Sequence, residues 1–459
     1  MSGAAGLGAT GVSAALAAFV AETPAAAIPA LVRRNAVDTI VDAYATAQAG
    51  QLEPTAATIR DSVLPRSAPG RARVLGAPDA RVEASAAALV NGATAHCLDY
   101  DAISFAVSGF VGSAMLAALA ALAEEADTPY PGTDVVTAYC LGWEAAAAIA
   151  RAVNPEHYAI GWHPTATMSG YAATAACARL LGLDAERTLA ALSIATSETS
   201  GVKIMIGNMI NAYHVGKAAR NGINAARLAA DGFVGHPDPM EADQGFFAQF
   251  AGPAGARPER TTATLGRHWD LTEPGPVFKI YACCGLVHSG LDAAIALRDE
   301  EGISPDEILD VEVLVHEFVP RVMHVDRPDT GYAAKFCIPY CIAAGLRDGR
   351  AGLAPFDRVD EDLVELGRRV RFGVHPDLHG GDTFFAKEFT EVRVSTTRGV
   401  FERRVNRLSN RGSGSLATAT LADKFAECVA RPGTVADPGA DLDRLLGSDS
   451  HGGWALWSM

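Results

Sequence analysis

The chain has 459 residues, 49% of them hydrophobic but only 7% aromatic, and a formal net charge of −15 from 53 acids against 38 lysines and arginines. That length exceeds the size at which one core stops growing, so two domains are expected. The acidic balance disfavours nucleic acid and an anionic membrane as partners, while a pocket can still be dominated by a few local cations.

Alanine supplies much of the apolar surface, which makes helix the first expectation. The eight cysteines lack the spacing of a zinc site, and Cys283 and Cys284 are adjacent, poor geometry for one disulfide; a reducing cytoplasm is the simpler reading. The N-terminus lacks the basic region of a signal peptide.

Taken in chain order, residues 1–268 read as helix after helix. The run from Ala102 to Ala123 carries no charge and is long enough to span a bilayer, but its Ala, Gly and Ser content between acidic flanks predicts a buried helix. "TDVVTAYCLGWEAAAAIARAV" (133–153) predicts a buried helix opened by a Thr/Asp cap. Residues 164–195 predict two helices, with Gly182 ending the first and Asp184 capping the second. "HVGKAARNGINAARLAADGF" (214–233) predicts another, stopped at Gly232.

The texture changes near residue 269. "ILDVEVLVHEFV" (308–319) alternates and predicts a strand, and "TEVRVSTTRGVFERRV" (390–405) predicts a hairpin around Thr397-Arg398-Gly399. Helical patterns fill 286–300 and 335–347, and helix returns over 415–429. Residues 431–443 are Pro/Gly/Asp-rich and predict a loop. The expected fold is mainly α with a smaller α+β domain: residues 1–268 helical, 269–409 α+β, and 410–459 rejoining the helical part.

Four places carry side chains suited to chemistry. His163 precedes Pro164 at a helix start, where the dipole favours a neutral ring able to act as a base. Lys279 sits in the apolar "VFKIYACC" (277–284), placed to bind an anion or to work as an acid or base. Tyr340 lies in an apolar helical stretch. Asp99 and Asp101 alternate around Tyr100, so only one of them can face a given site. Each has a plain alternative: a capping histidine, a snorkelling lysine, a core tyrosine, a solvated acidic turn. No Walker loop, GxSxG elbow or HExxH occurs, the early "GAAGLGATG" lacks strand–turn–helix context, and the histidines lack metal spacing, so no metal is proposed.

Five phrases in order, "VNGATAHCLDYD" (90–101), "HYAIGWHPTAT" (157–167), "HVGKAARNGINAARLAADGF" (214–233), "FKIYACCGLVHSGLDAAIALR" (278–298) and "KFCIPYCIAAGLRDG" (335–349), resemble the MmgE/PrpD family. Its members include 2-methylcitrate dehydratase, cis-aconitate decarboxylase and iminodisuccinate epimerase. The resemblance implies a large helical domain built from both chain ends, an α+β lid, and a site in the cleft between them. It also implies a homodimer, a small-molecule substrate, and no metal or organic cofactor. Asp99, His163, Lys279 and Tyr340 match its catalytic positions, and Asp101 and His214 lie beside them as substrate-binding positions.

The chain also departs from that pattern. Where the family commonly reads Asp-Asp-Thr, then His-Pro, then Thr-Lys-Pro-Leu-His, this chain has Ile103, Gly109 and Asn211 at the threonine, histidine and lysine positions. The loss of up to two cations implies a substrate with fewer carboxylates, or a bulkier apolar one, since polycarboxylates need positive charge to offset desolvation. Lys203 is a candidate to compensate. The expected activity is a cofactor-independent lyase that abstracts a proton next to a carboxyl or carbonyl and eliminates water or carbon dioxide. An isomerase or epimerase using the same residues, and a secondary-metabolism enzyme acting on an apolar molecule, are the alternatives.

Overall fold

The computed structural model describes residues 11–252, 255–379, 389–406, 415–431 and 434. Small residues set the architecture of the first two hundred and fifty or so. Pro164–Leu180 is buried along most of its length and packs against Gly132–Val153, Gly112–Glu125, Ala185–Glu198 and Met209–Ala230. Met209–Ala230 also lies along Ala84–His96, and there the approach is close enough that a Cβ on Gly216 would fall 2.1 Å from the Leu89 carbonyl oxygen. Large side chains would force these axes apart, which is why an alanine-rich, aromatic-poor sequence can build a thick helical layer.

Two caps follow the sequence and one does not. Asp184 accepts from the Arg187 amide at 2.9 Å, and Gly182, at φ 68°, turns the chain between the two helices. The helix at 133–153 begins instead at Gly132 behind Pro131, without a side-chain cap; Asp134 is left in the first turn, where it complements the dipole. The helix expected from His214 starts at Met209, capped by Asn208, because that cap and the Ile210 amide 2.9 Å from its Oδ1 precede the apolar run.

The uncharged run from Ala102 is not one helix. Ile103–Ser104 is a two-residue strand paired with Pro276–Val277, a turn follows, and helix begins only at Gly112. The physical reason is Asp101 before it and the positive φ of Ser108 (57°) within it. No described helix is long and apolar enough to cross a membrane, and the eight cysteines are all free and buried.

The C-terminal portion holds a four-stranded sheet in the order Val370–Val374, Ile308–Val315, Phe389–Thr396, Gly399–Asn406. The first pair is parallel and the others antiparallel. Alternation aims Val311, Val313, Val392 and Val394 inward, where His288–Glu301 and Ile338–Asp348 cover the sheet. The hairpin turns through Thr397-Arg398, with Gly399 at φ 138° opening the last strand. The final described helix, Ser415–Val429, returns to pack on Ala30–Gly50: Phe425 stacks on Tyr44 at 6.2 Å, and Lys424 pairs with Asp42 at 2.6 Å. Most of the loop expected over 431–443 lies outside the described residues.

Candidate active site

A cavity of about 730 Å³, counted with its open mouth, lies where the 99–110 segment, the start of Pro164–Leu180 and the 279–286 segment converge. Asp99, His163, Lys279, Ile103, Gly109 and Asn211 all line it.

The acidic turn is built by the end of Ala84–His96. The Asp99 amide donates to the His96 carbonyl at 2.9 Å, and Asp99 adopts φ 50°, a left-handed conformation that Asp tolerates better than most residues. This carries Asp99 to the cavity. Lys279 meets it there, with Nζ 2.7 Å from the carboxylate Oδ2 and 2.6 Å from the Asp99 carbonyl. The same ammonium lies 4.6 Å from the centroid of the Phe110 ring. Lys279 is only 1% exposed, so this pair sits in a low-dielectric setting.

Asp101 points the other way, as the alternation requires. It accepts from Ser113 Oγ at 2.6 Å and lies 2.7 Å from His96 Nδ1. Burial opposes ionisation of Asp101, but the charge and hydrogen bond of His96, with the Ser113 bond, hold its carboxyl below the usual range. Burial likewise opposes protonation of His96, yet Asp101 raises the imidazole above its ordinary value. The result is an ion pair behind the Asp99–Lys279 pair, and His96 packs 4.7 Å from the Phe110 ring.

His163 occupies the N-cap position of Pro164–Leu180. Burial, and then the neighbouring His214, push its pKa well below the ordinary imidazole value, so the ring is neutral near pH 7. Its Nδ1 lies 3.0 Å from Nδ1 of His214, which requires one ring to hold a proton there and the other to accept it. His163 Nε2 has no hydrogen bond to the described residues. His214 stands behind His163, outside the cavity lining.

Tyr340 is not brought to this cavity. Its hydroxyl donates to the Pro355 carbonyl at 2.6 Å and accepts from the Asp360 amide at 3.1 Å, bonds that staple a loop to Ile338–Asp348. Tyr158 is the tyrosine in the lining, and Tyr332 stands behind the wall, where its hydroxyl accepts from Asn211 Nδ2 at 3.0 Å. Asn211 Oδ1 is buried without a partner. Lys203 does not take the place of the absent family lysine. Its ammonium donates to the Tyr158 carbonyl at 2.8 Å and lies over the Tyr158 and Phe318 rings, outside the lining, and burial lowers its pKa to about 8.

The remaining lining is mostly apolar, led by Phe105, Phe110, Ile206, Leu286, Phe318 and Phe336, with Ser108, Tyr158, Thr165 and Cys284 among them. Of these, Phe110 follows the departing position Gly109, while Phe318 and Phe336 carry no sequence signal beyond ordinary core hydrophobicity. His96 is a further functional residue that the sequence reading misses; its place three residues before Asp99 and five before Asp101 is the signal that could have found it. Among the described residues no group of three His, Cys, Asp or Glu side chains is arranged to hold a metal ion.

A neutral imidazole and a lysine–aspartate pair opening on one apolar cavity are the parts of an acid–base enzyme, and comparison with known proteins gives its class as a lyase. The chain is 28% identical over 376 residues to cis-aconitate decarboxylase of Aspergillus terreus, covering 75% of this chain and 74% of that one. It is 26% identical over 365 residues to the Mus musculus enzyme of the same name (77% and 73%) and 28% over 320 residues to the Homo sapiens one (66% and 64%). Residues 14–259 match the MmgE/PrpD N-terminal domain and residues 281–440 the MmgE/PrpD C-terminal domain. The chain belongs to the MmgE/PrpD family.

Proposed function

We propose that this lyase acts on a small organic acid with a single carboxylate near the reacting carbon and an apolar remainder. One observation carries the reading. The neutral His163 and the Lys279–Asp99 pair share a cavity whose remaining walls are mostly apolar, with Ile103, Gly109 and Asn211 at the departing positions.

The roles follow from the geometry. Lys279 spends two of its three N–H groups on Asp99, and the third is left to hold the substrate carboxyl or carbonyl and the enolate charge that forms on it. His163 Nε2 takes the proton from the adjacent carbon, with His214 holding the ring through Nδ1. The electron pair then expels hydroxide, which leaves as water with the proton His163 took. In the decarboxylating form no proton is removed first: the C–C bond to the carboxylate breaks, carbon dioxide departs, the electron pair is held as an enolate on a neighbouring carbonyl at Lys279, and His163 relays a proton from water to the carbon. Burying a carboxylate among apolar rings favours the second outcome, because charge is dispersed as carbon dioxide leaves. The names of the relatives favour it too. Asp99 orients Lys279, and Tyr340 takes no part.

Proton NMR in deuterium oxide over a panel of mono-, di- and tricarboxylic acids tests this. Loss of carbon dioxide or water from a monocarboxylate, abolished in His163→Ala and Lys279→Ala, is expected. Full turnover by either variant would overturn the assignment. Deuterium entering recovered substrate without net loss would identify an epimerase instead.

A further inference from the structure

On the far side of the wall formed by Phe105 and Ser108 lies a second concavity of about 790 Å³, counted with its open mouth, which the proposed chemistry does not use. Arg151 enters it from the last turn of Gly132–Val153. Arg151 makes no hydrogen bond or ion pair with any described residue, and its Nε and Nη1 are buried without partners. A guanidinium in that state is costly, because its N–H groups have lost water and gained no acceptor. Two buried acids feel its charge without bonding to it; Asp270 Oδ1 has no partner, and their other described bonds run elsewhere. Asp270 Oδ2 accepts from Trp143 Nε1 at 2.7 Å and Ser104 Oγ at 2.9 Å, and Glu144 accepts from the Asp270 and Leu271 amides.

Two more buried polar atoms without partners belong to residues lining the same concavity: Thr264 Oγ1 and Asn154 Oδ1. The orientation of the Asn154 amide is fixed, since its Nδ2 donates to the Ala106 and Val107 carbonyls at 3.0 and 3.2 Å. Its oxygen is therefore an acceptor awaiting a donor. Arg260 adds a second cation.

We infer that Arg151, Thr264 and Asn154 form a binding site for a small hydroxycarboxylate. Its carboxylate sits on the Arg151 guanidinium with the Thr264 hydroxyl donating to it, and its hydroxyl donates to Asn154 Oδ1. This donor–acceptor set suits a planar carboxylate carrying a neighbouring O–H. Because Asn154 grips the 106–107 carbonyls, and Phe105 and Ser108 line both concavities, an occupant here bears directly on the wall of the catalytic cavity.

The inference is independent of the reaction proposed above, and its test reads binding rather than turnover. Calorimetric titration of L-malate is made into the full chain carrying Lys279→Met and Asp99→Asn, which silence the catalytic cavity. One saturable site per chain is expected. Adding Arg151→Met weakens it about tenfold or more, and Thr264→Val several-fold. Succinate, which lacks the hydroxyl, binds several-fold less tightly. Absence of a saturable malate site, equal affinity after Arg151→Met or Thr264→Val, equal affinity for succinate, or tighter binding of inorganic phosphate would each overturn the assignment. Thr264→Val keeps the question open to test should Arg151→Met fail to fold.

Discussion

Lys279 reaches Asp99 across 180 residues of chain and grips it twice, at the carboxylate (2.7 Å) and at the carbonyl of the same residue (2.6 Å). The lysine thereby fixes both the charge and the left-handed backbone of the acidic turn.

Breaking that pair from one side leaves a buried charge uncompensated. Lys279→Met is expected to lose about 3–5 kcal/mol of stability. Asp99→Asn, which tolerates the same backbone conformation, is expected to lose less. The double variant should recover much of the loss while remaining inactive. Urea denaturation of the four proteins checks this as a double-mutant cycle. Additive losses would show that the two groups do not act as a pair.

The two tyrosines should separate cleanly. Tyr340→Phe removes the hydroxyl that bridges Pro355 and Asp360, and is expected to cost about 1–2 kcal/mol while turnover stays within threefold. Tyr332→Phe frees Asn211 in the cavity wall and should change KM or kcat with little loss of stability. Steady-state kinetics alongside thermal melts decide it; the reverse pattern would return Tyr340 to the site.

Restoring the family residues should work at one position and fail at the other. A Cβ on Gly109 would fall 2.8 Å from the Thr165 amide nitrogen and 2.9 Å from its Oγ1, so Gly109→Ala is expected to destabilise by about 1–3 kcal/mol and Gly109→His by no less. Asn211→Lys places a cation in the cavity wall. It should raise kcat/KM for a tricarboxylate relative to a monocarboxylate by roughly tenfold or more, the effect of one charge-assisted contact. Competition assays with the two substrates give the ratio directly.

The paired histidines make a definite contribution to acid sensitivity. Burial, with Lys217 and His96 nearby, lowers His214 from 6.5 to about 4. Above pH 6.5 the ring is neutral in both folded and unfolded chains. Between pH 6.5 and about 4 only the unfolded chain takes up the proton, so stability falls as pH falls through that window, by up to about 1.4 kcal/mol per pH unit. His214→Gln should flatten that slope in a series of denaturant titrations from pH 7 to 4.5; an unchanged slope would show that His214 protonates freely in the fold.

Much of the fold could be read from the sequence because its signals are local. Asp184 and Gly182 mark a helix junction through cap and turn chemistry, and Ile308–Val315 declares its buried face by alternation. The cavity was legible only where polar residues interrupted apolar runs, at Asp99, His163 and Lys279. Tyr340 misled because a polar hydroxyl in an apolar helix looks the same whether it meets a substrate or a carbonyl such as that of Pro355. The break in the uncharged run at Ile103–Ser104 goes with the positive φ of Ser108 and with pairing to Pro276–Val277, far along the chain, and neither shows in the run's hydropathy. Arg151 is likewise an ordinary helix-end cation until its surroundings are known.

Lys424 donates to the carbonyl of Tyr100, the residue between the two turn aspartates, and lies over the Tyr100 ring at 4.1 Å. During synthesis, the acidic turn therefore waits for residue 424 to make this contact. The helix leading to Asp99 can form early and Lys279 can then grip the turn, but the Tyr100 carbonyl gains the Lys424 ammonium only once residue 424 has left the ribosome and docked. Full competence for chemistry waits on that contact, and a protease that clips the Ser415–Val429 helix would act as an inhibitor without touching a single residue of the cavity.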